Sequence, residues 1–294
     1  MDTPPVCNYE NSDYQTSFWE QGGRAYEDAV EEVALRRLLP RQGGMLMLEL
    51  GAGAGRNTPR YAAYQRVVLV DYSRTQLEQA RQKLGESERF IYVAADVYHL
   101  PFACGLCDGA TMIRTLHHMA DARRALDQVR LALQPGAAFI LEFANKQNFK
   151  SILRYALRRQ SWSPFSPEPI EFAPLNFDFH PATVRSWLNQ AGFTVERQLT
   201  VSHFRIGWMK RHLPLRLLVA MDSLAQLSGD WWQYSPSVFV KTRCVGDTPC
   251  APEGSFFRCP ACGSPLYDTP PAITCPSCGR TFPVEGGIYD FRLN

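Results

Sequence analysis

A glycine cluster directly follows an apolar run near the start of the chain. The run over 45–50 is short enough to be a buried strand, and it leads into Gly51-Ala52-Gly53-Ala54-Gly55. Glycines adopt backbone torsions that other residues avoid, and they let the backbone approach a ligand closely. A tight structural turn has the same composition. The loop alone therefore leaves a ligand-binding and a purely structural interpretation open.

Two acidic residues further along the chain favour ligand binding. Asp71 ends the next apolar run and lies 20 residues after Gly51, a spacing at which a carboxylate reaches the hydroxyls of a bound ribose. Asp96 ends the run after that, which predicts a position near an adenine edge. Arg56 stands where a dinucleotide-binding fingerprint has its third glycine. Together these residues predict a nucleoside ligand that carries no pyrophosphate.

The elements that would position these residues alternate along the chain. Hydrophobic periodicity and turn residues predict strands over 45–50, 67–70, 90–94, 109–113, 138–143, 193–199 and 237–242. Helices are predicted over 26–39, 73–84, 123–133, 148–159 and 180–192, the second opened by a capping box at Ser73. Such alternation predicts βαβ units in an α/β fold, with a mainly parallel sheet and helices on both faces.

Residues 45–145 resemble the core of class I methyltransferases that use S-adenosylmethionine. The resemblance rests on five motifs in order, which are Leu48 to Gly55, Val70-Asp71-Tyr72-Ser73, Ala95-Asp96-Val97, Cys107-Asp108-Gly109-Ala110 and Leu133 to Ala137. It implies a Rossmann-like sheet of seven mainly parallel strands and S-adenosyl-L-methionine as cofactor. The cofactor-binding residues that it implies are Glu49, Gly51, Gly53, Gly55, Asp71, Tyr72, Asp96, Val97 and Arg114, with Tyr14 in an N-terminal flap.

Within this resemblance, each part of the cofactor has an expected partner. Gly51, Gly53 and Gly55 would face the methionine and the ribose, Asp71 would hold the ribose, and Asp96 with Val97 would contact the adenine. Arg114 and Thr115 would border the site of methyl transfer. A core-packing role for Tyr14 is the alternative to the flap.

The transfer reaction itself asks little of the protein. A sulfonium methyl group is already electrophilic, so the protein mainly has to align the acceptor. A general base is needed only if the acceptor must lose a proton. His117, His118, Glu142 and His180 are candidates because they lie at the carboxyl ends of predicted strands or in the loops that follow. A packing or surface role is the alternative for each, and the sequence does not choose among them.

Four cysteines near the end of the chain form two Cys-x-x-Cys pairs. Cys259 and Cys262 are separated from Cys275 and Cys278 by 12 residues, a spacing at which four thiolates hold zinc tetrahedrally with no open coordination position. This predicts structural Zn²⁺ in a small zinc ribbon, and an unmetallated knuckle is the alternative. Cys104 and Cys107 form a lone pair, for which a loop role is favoured over a second metal site.

The segment 257–294 also resembles the small zinc-ribbon activator subunit of several tRNA, rRNA and release-factor methyltransferases. The matching residues run from Cys259 to Leu266 and from Cys275 to Ile288. The predicted organisation is therefore a methyltransferase domain over 1–246, with substrate-side insertions over 146–235, followed by the ribbon over 257–294.

The acceptor is the least determined part of the prediction. The chain of 294 residues has a net charge of +2, but residues 146–216 contain 11 Lys and Arg against 4 Asp and Glu. The aromatic, proline-rich insertions favour a small-molecule or lipid-like acceptor. The basic segment leaves an RNA or protein acceptor as the alternative, and a solvated basic face as the simplest interpretation. A catalytically inactive protein that binds the cofactor for regulation is a third alternative.

The composition points away from membrane insertion. No apolar run reaches the ~18 residues of a membrane helix. The most apolar stretch, over 213–227, is interrupted by Arg216 and Asp222. The N-terminus lacks the basic start and the apolar stretch of a secretory signal. We therefore expect a cytoplasmic protein without a transmembrane segment.

Overall fold

The computed structural model describes residues 4–10, 22–247, 251–252 and 254–293. Its helices are α1 (Ala25–Leu38), α2 (Arg74–Leu84), α3 (Ala122–Ala132), α4 (Phe149–Ala156), α5 (Pro181–Gln190), α6 (Gly207–His212) and α7 (Leu215–Ala225). Its first nine strands are β1 (Gly44–Leu50), β2 (Tyr64–Asp71), β3 (Phe90–Ala94), β4 (Cys107–Met112), β5 (Leu133–Ala144), β6 (Ile170–Ala173), β7 (Asn176–Asp178), β8 (Phe193–Val201) and β9 (Ser237–Cys244). The C-terminal strands are β10 (Phe257–Arg258), β11 (Pro265–Leu266), β12 (Ala272–Thr274), β13 (Thr281–Glu285) and β14 (Ile288–Asp290).

The central sheet has the strand order β3-β2-β1-β4-β5-β9-β8. The pairs from β3 to β5 are parallel, whereas β9 runs antiparallel to both β5 and β8. The order reverses at β1, and in open α/β sheets a ligand crevice forms at such a switch point, outside the carboxyl ends of the strands. The predicted Rossmann-like sheet of seven mainly parallel strands is confirmed.

Side chains of the central strands alternate between two apolar layers. Leu48 and Val68 point into one layer, together with Leu126 of α3 and Leu188 of α5. The neighbouring residue Val67 points to the opposite face, where Leu77 of α2 lies, and α1 and α7 extend the cover on that face. A strand with both faces buried reads as a continuous apolar run, which is the pattern of β1 and β2.

Several elements differ from their predicted bounds. Strand β5 was predicted to start at Ala138, after a turn at Pro135-Gly136, but it starts at Leu133, directly after α3. The proline-rich segment over 161–174 is not a loop throughout, because Ile170–Ala173 forms β6 and pairs with β7 in a hairpin. The basic helix α4 ends at Ala156 rather than at 159, because Arg158 adopts a left-handed backbone conformation with φ of 54°.

The C-terminal segment extends the main sheet. Strand β14 pairs in parallel with β3, and β13 and β12 follow it outward, so the sheet has ten strands. Phe257, Ile273 and Phe291 belong to the same apolar cluster as the α3 layer. The segment therefore packs as an edge of the large domain. Among the described residues, no helix has both the length and the apolar composition needed to cross a bilayer.

Candidate active site

A cavity opens at the carboxyl ends of β1, β2 and β4, where the topology predicts a ligand. It encloses about 760 Å³, a volume that includes space open to solvent. Its lining residues are Val6, Cys7, Tyr9, Leu50, Gly51, Gly53, Val70, Asp71, Tyr72, Gln76, Ala95, Val97, Arg114, Thr115, His118 and Met119. Six of the predicted cofactor-binding residues, namely Gly51, Gly53, Asp71, Tyr72, Val97 and Arg114, are among them.

The glycine loop brings main chain, rather than side chains, to the cavity wall. Gly51 has φ of 66°, and a Cβ there would lie 2.0 Å from Oγ1 of Thr115. The hydroxyl of Thr115 donates a hydrogen bond to the carbonyl of Leu50 at 3.2 Å. At Gly53 the nearest atom to a Cβ would be 3.9 Å away, so this residue faces open space. Only glycine fits the first position, and the second leaves room for a ligand against the backbone.

Asp71 links the loop that follows β1 to the loop that follows β2. Its Oδ2 accepts a hydrogen bond from the Gly53 amide at 2.8 Å, and its Oδ1 accepts one from the Ser73 amide at 2.9 Å. Burial raises the pKa of this carboxyl, against the effect of these amides. Each carboxylate oxygen has a second lone pair, so the group can still accept hydrogen bonds from a diol in the cavity.

Three predicted cofactor residues lie outside this cavity. Glu49 is buried behind the loop, where Thr58 donates to it at 2.6 Å, and burial raises its pKa to about 7. Gly55 packs against Ala80 of α2. Asp96 accepts from the Tyr98 amide at 2.9 Å, caps the short helix after β3, and lines a smaller neighbouring cavity with Tyr72. These positions give the three residues supporting roles around the site.

Charged side chains tie the first helix to the cavity. Glu31 of α1 is buried between Arg56, at 2.8 Å, and Arg114, whose Nε donates to it at 2.6 Å. Burial alone would raise the pKa of Glu31, but Arg114 and Arg56 outweigh it and hold that pKa below its ordinary value. Arg114 has φ of 54°, a conformation uncommon for a residue with a side chain. The pairing holds the loop after β4 in place.

Of the four candidate bases, only His118 lines the cavity. Its Nδ1 lies 3.0 Å from the carbonyl of Leu175, and its Nε2 lies 3.1 Å from the hydroxyl of Tyr9. A carbonyl only accepts, so this contact assigns the proton to Nδ1 and leaves Nε2 as the acceptor. Burial lowers the pKa of His118, against the hydrogen bond to Leu175. The imidazole is therefore neutral at pH 7, and the lone pair of Nε2 accepts a hydrogen bond from the Tyr9 hydroxyl.

The other three candidates differ from that arrangement. Glu142 is buried and accepts from the Arg114 amide at 2.8 Å and the Ser237 hydroxyl at 2.5 Å, and burial raises its pKa. His180 caps α5 by accepting from the Ala182 amide at 3.3 Å. His117 packs on the ring of His118 with centroids 4.0 Å apart, and its Nδ1 is buried without a hydrogen-bond partner among the described residues. None of the three lines the main cavity.

One wall of the cavity comes from residues of the N-terminal segment that were not among the predicted site residues. Val6, Cys7 and Tyr9 close it from the N-terminal side. Glu10 fixes this segment by accepting hydrogen bonds from the amides of Arg74, at 2.9 Å, and Thr75, at 3.1 Å, at the start of α2. A carboxylate at a helix N-terminus is a favourable arrangement. Tyr14, the predicted flap residue, lies outside the described residues.

The four C-terminal cysteines come together. Their sulfur atoms all lie within 4.8 Å of one another, with Cys259 and Cys275 buried and Cys262 and Cys278 exposed. Two of the pairs are 3.5 Å and 3.7 Å apart. Cys107 is instead buried at the start of β4, where burial raises its pKa strongly, and it belongs to no metal-sized cluster in the described ranges. Cys107, which was predicted to lie in a loop with Cys104, is thus the first residue of a strand.

The end of the chain also contacts the wall of the cavity. The guanidinium of Arg292 donates to the carbonyl of Tyr72 at 3.3 Å and to Glu10 at 3.3 Å. The same group lies 5.7 Å from the centre of the Tyr72 ring, within the range of a cation–π contact. Two lining segments, around Glu10 and Tyr72, are thus held by one residue that follows β14.

Comparisons with known proteins agree with this geometry. Residues 48–141 match a family described as methyltransferase domain. The chain is 28% identical over 182 residues to a demethylmenaquinone methyltransferase of Clavibacter sepedonicus, covering 56% of this chain and 72% of that protein. It is 34% identical over 136 residues to an O-methyltransferase of Penicillium expansum, covering 42% of this chain and 48%, about half, of that protein.

Solved structures agree on the fold. The S-adenosylmethionine-dependent methyltransferase from Mesorhizobium loti superimposes with a TM-score of 0.52 at 19% identity, covering 74% of this chain and 100% of that one. A complex between the Haloferax volcanii Trm112 methyltransferase activator and a methyltransferase gives a TM-score of 0.56 at 15% identity, covering 79% of this chain and 96% of that one. Residues 48–141 therefore form a methyltransferase domain on a Rossmann-like sheet, and the names of the relatives support an S-adenosylmethionine-dependent methyltransferase.

Proposed function

We propose that this methyltransferase acts on a hydroxyl group of an apolar small molecule or lipid-like acceptor. The observation that carries the proposal is His118, a neutral imidazole on the cavity wall whose tautomer leaves Nε2 able to accept a proton. The names of the relatives support the class of acceptor, since they include O-methyltransferases and an enzyme of demethylmenaquinone.

The roles of the residues follow from the reaction. When bound, S-adenosylmethionine would supply an electrophilic methyl group to an acceptor oxygen aligned with it, and S-adenosylhomocysteine would remain. Asp71 and the backbone of Gly53 would hold the ribose side, and Tyr72 and Val97 would flank the adenine. Nε2 of His118 takes the hydroxyl proton of the acceptor, which replaces Tyr9 as its hydrogen-bond partner. Nδ1 stays bonded to Leu175, so the ring keeps its orientation when it becomes charged.

The insertions after β5 provide the acceptor side. Leu175, whose carbonyl orients His118, lies in the turn of the β6–β7 hairpin. Phe179 packs against Trp187 of α5 with ring centroids 5.7 Å apart. These contacts support the expectation that residues 146–235 cover the acceptor.

A transfer assay with labelled cofactor tests the acceptor class. We expect label in apolar hydroxylated compounds, such as phenols, alcohols and reduced quinones, and in the small-molecule or lipid fraction of a cell extract. Label recovered only in RNA or in protein would contradict the proposal in favour of the basic segment as a substrate-binding surface. Intact cofactor binding with no label in any fraction would point to an inactive regulatory protein.

Asp71 is expected to control cofactor affinity. Asp71→Ala should weaken the binding of S-adenosylhomocysteine by about 1.5–3 kcal/mol, the value of hydrogen bonds to a charged group. Isothermal calorimetry measures this change, and Asp127→Ala on the exposed surface of α3 serves as the control. Equal affinity in the Asp71 variant and the control would show that the ribose lies elsewhere.

We further propose that the cysteine cluster holds structural zinc. At a Zn–S distance of about 2.3 Å, the sulfurs of a tetrahedral site are about 3.8 Å apart, close to the 3.5 Å and 3.7 Å of the two measured pairs. Four thiolates leave no position for a substrate, so the metal would hold the knuckles of the ribbon together and take no part in methyl transfer.

A further inference from the structure

The surface beyond the acceptor side exposes many apolar side chains. Between residues 149 and 234, the exposed large apolar residues are Phe149, Leu153, Tyr155, Leu157, Phe165, Phe172, Ile206, Trp208, Leu215, Leu217, Met221, Leu224, Leu227, Trp231, Trp232 and Tyr234. The exposed fraction reaches 76% at Trp231, 74% at Leu224 and 69% at Phe149. Clustered exposed apolar residues of this kind mark interaction surfaces, whereas scattered single ones do not.

Helix α4 separates apolar and basic residues onto two faces. Phe149, Ile152, Leu153 and Ala156 recur at helical spacing on one face, and Lys150 and Arg154 follow one another on the other. Only Ser151 of this helix is buried, and on the apolar face Phe149 and Leu153 are exposed while Ile152 is half-buried. An apolar face opposite a Lys- and Arg-rich face is typical of helices that lie in a membrane interface.

The second part of the surface is formed by α7 and the turn that follows it. Leu217, Met221 and Leu224 lie on one exposed face of α7, while Leu218 and Asp222 point inward. Trp231 and Trp232 follow at the end of the next short helix. Tryptophan is enriched where a protein meets the membrane–water interface, because its ring is apolar and its N–H is polar.

A hydrogen bond joins the start of α4 to the segment that follows α7 and carries the two tryptophans. The amide of Phe149, at the start of α4, donates to the carbonyl of Tyr234 at 2.8 Å. The start of α4 and residues 231–234 lie near the carboxyl ends of the parallel strands, where the cofactor cavity opens. This follows because β5 ends at Ala144 and its antiparallel partner β9 begins at Ser237. The surface, defined here as α4, α7 and residues 231–234, therefore borders the acceptor side of the active site.

The cations on α4 are available to an anionic partner. Within the part of the chain that the structure describes, no ion pair is seen for Lys150, Arg154, Arg158 or Arg159. RNA would also attract these charges, but its phosphates and bases offer nothing that would bury the aliphatic side chains of Leu153, Leu217 and Leu224. An anionic bilayer satisfies both the charges and the apolar side chains.

We propose that this surface docks the enzyme on anionic phospholipid membranes, with the apolar side chains of α4 and α7 inserted at the headgroup boundary. The inference goes beyond the proposed function and does not depend on it, because it concerns where the chain is held rather than what it methylates. Docking in this orientation would bring the acceptor side of the cavity to the bilayer.

Vesicle co-sedimentation of the full chain tests the proposal. We expect binding to vesicles of phosphatidylcholine with about 30% phosphatidylglycerol, weaker binding to phosphatidylcholine alone, and a decrease as salt rises from about 0.1 M to about 0.5 M. Trp231 and Trp232 should be quenched by brominated lipid, since their rings would lie at the interface.

Two pairs of substitutions separate the contribution of the basic residues to vesicle binding from that of the apolar residues. Lys150→Glu with Arg154→Glu should reduce partitioning into anionic vesicles by about tenfold or more. Phe149→Ser with Leu153→Ser should reduce it by a similar factor and at every salt concentration. The matched control is Arg41→Glu with Lys83→Glu, which makes the same change in net charge at exposed positions away from the surface and should leave partitioning within about twofold of the original.

Affinity for S-adenosylhomocysteine, measured on the same preparations, should be unchanged in all variants, because none of these residues lines the cofactor cavity. Absence of vesicle binding would overturn the proposal, as would equal loss of binding in the control. Tight RNA binding without vesicle binding, or a dimer that dissociates in the Phe149 and Leu153 variant, would assign the surface to another partner. Failure of methyl transfer with intact vesicle binding would count against the proposed function alone.

Discussion

Replacing His118 with alanine is expected to lower kcat for a hydroxyl acceptor by about 10²–10⁴-fold, the usual contribution of a general base. The affinity for S-adenosylhomocysteine should change little, because the ribose and adenine partners lie on other loops. Tyr9→Phe should have a smaller effect, since it removes the present hydrogen-bond partner of Nε2 and keeps the ring. Single-turnover rates with labelled cofactor give the comparison.

The pH profile provides an independent check of the same role. Because burial lowers the pKa of His118 below 6.5, the neutral base persists above that value. The rate should therefore stay level as pH falls to about 6.5 and decrease only as pH falls further through the lowered pKa. In the alanine variant this decrease should disappear.

The control for this variant replaces a histidine that lies outside the cavity. His180→Asn places a favourable N-cap residue at the start of α5, so both folding and rate should be retained. If this control lost as much activity as the His118 variant, or if the His118 variant retained full activity on a hydroxyl acceptor, the proposed base would be rejected.

Replacing Cys275 with serine is expected to release the proposed zinc and to destabilise the whole chain. Loss of a metal site is among the mechanisms whose effects exceed about 4 kcal/mol, which corresponds to a fall in Tm of about 10 °C or more for a protein of this size. The effect should extend beyond the ribbon, because β14 pairs with β3 and Ile273 and Phe291 lie in the main apolar cluster. Elemental analysis and differential scanning calorimetry measure the two effects.

Cys104→Ser is the matched control, because Cys104 is a partly exposed cysteine outside the cluster. One zinc per chain should remain in this variant, with little change in Tm. A freshly purified protein without zinc, whose four C-terminal thiols react freely while the ribbon stays folded, would contradict the zinc proposal.

Local chemistry was sufficient to predict much of the fold. The capping role of Ser73 is confirmed by the hydrogen bond that its side chain accepts from the Gln76 amide, and strand β3 has the bounds that its apolar run predicts. The start of β5 was predicted five residues too late, because Pro135-Gly136 has the composition of a turn after a helix. The strand starts before it, since β4 offers hydrogen-bond partners from Leu133 onward, and such tertiary contacts are invisible in a local pattern.

Some residues of the candidate site were predictable from the sequence, and others depend on the tertiary structure. Gly51, Gly53 and Asp71 follow strands directly, so strand order alone brings them to one cavity. His117 and His118 are adjacent and chemically identical, and only the path of the short helix at 116–118 decides which ring faces the cavity. The N-terminal wall and the contact of Arg292 with Tyr72 join residues far apart in sequence, which no spacing rule predicts.

The parallel pairing of β14 with β3 affects what fraction of the protein has a complete sheet. When a strand comes from a separate polypeptide, the fraction of sheets that it completes depends on the abundance of that polypeptide. Here the strand is tethered by the segment between Cys244 and Phe257, and a short tether gives an effective concentration of roughly millimolar. Each newly made chain thus carries its own edge strand in fixed stoichiometry. The outer side of β3 is paired within the same chain, which protects this edge from aggregation.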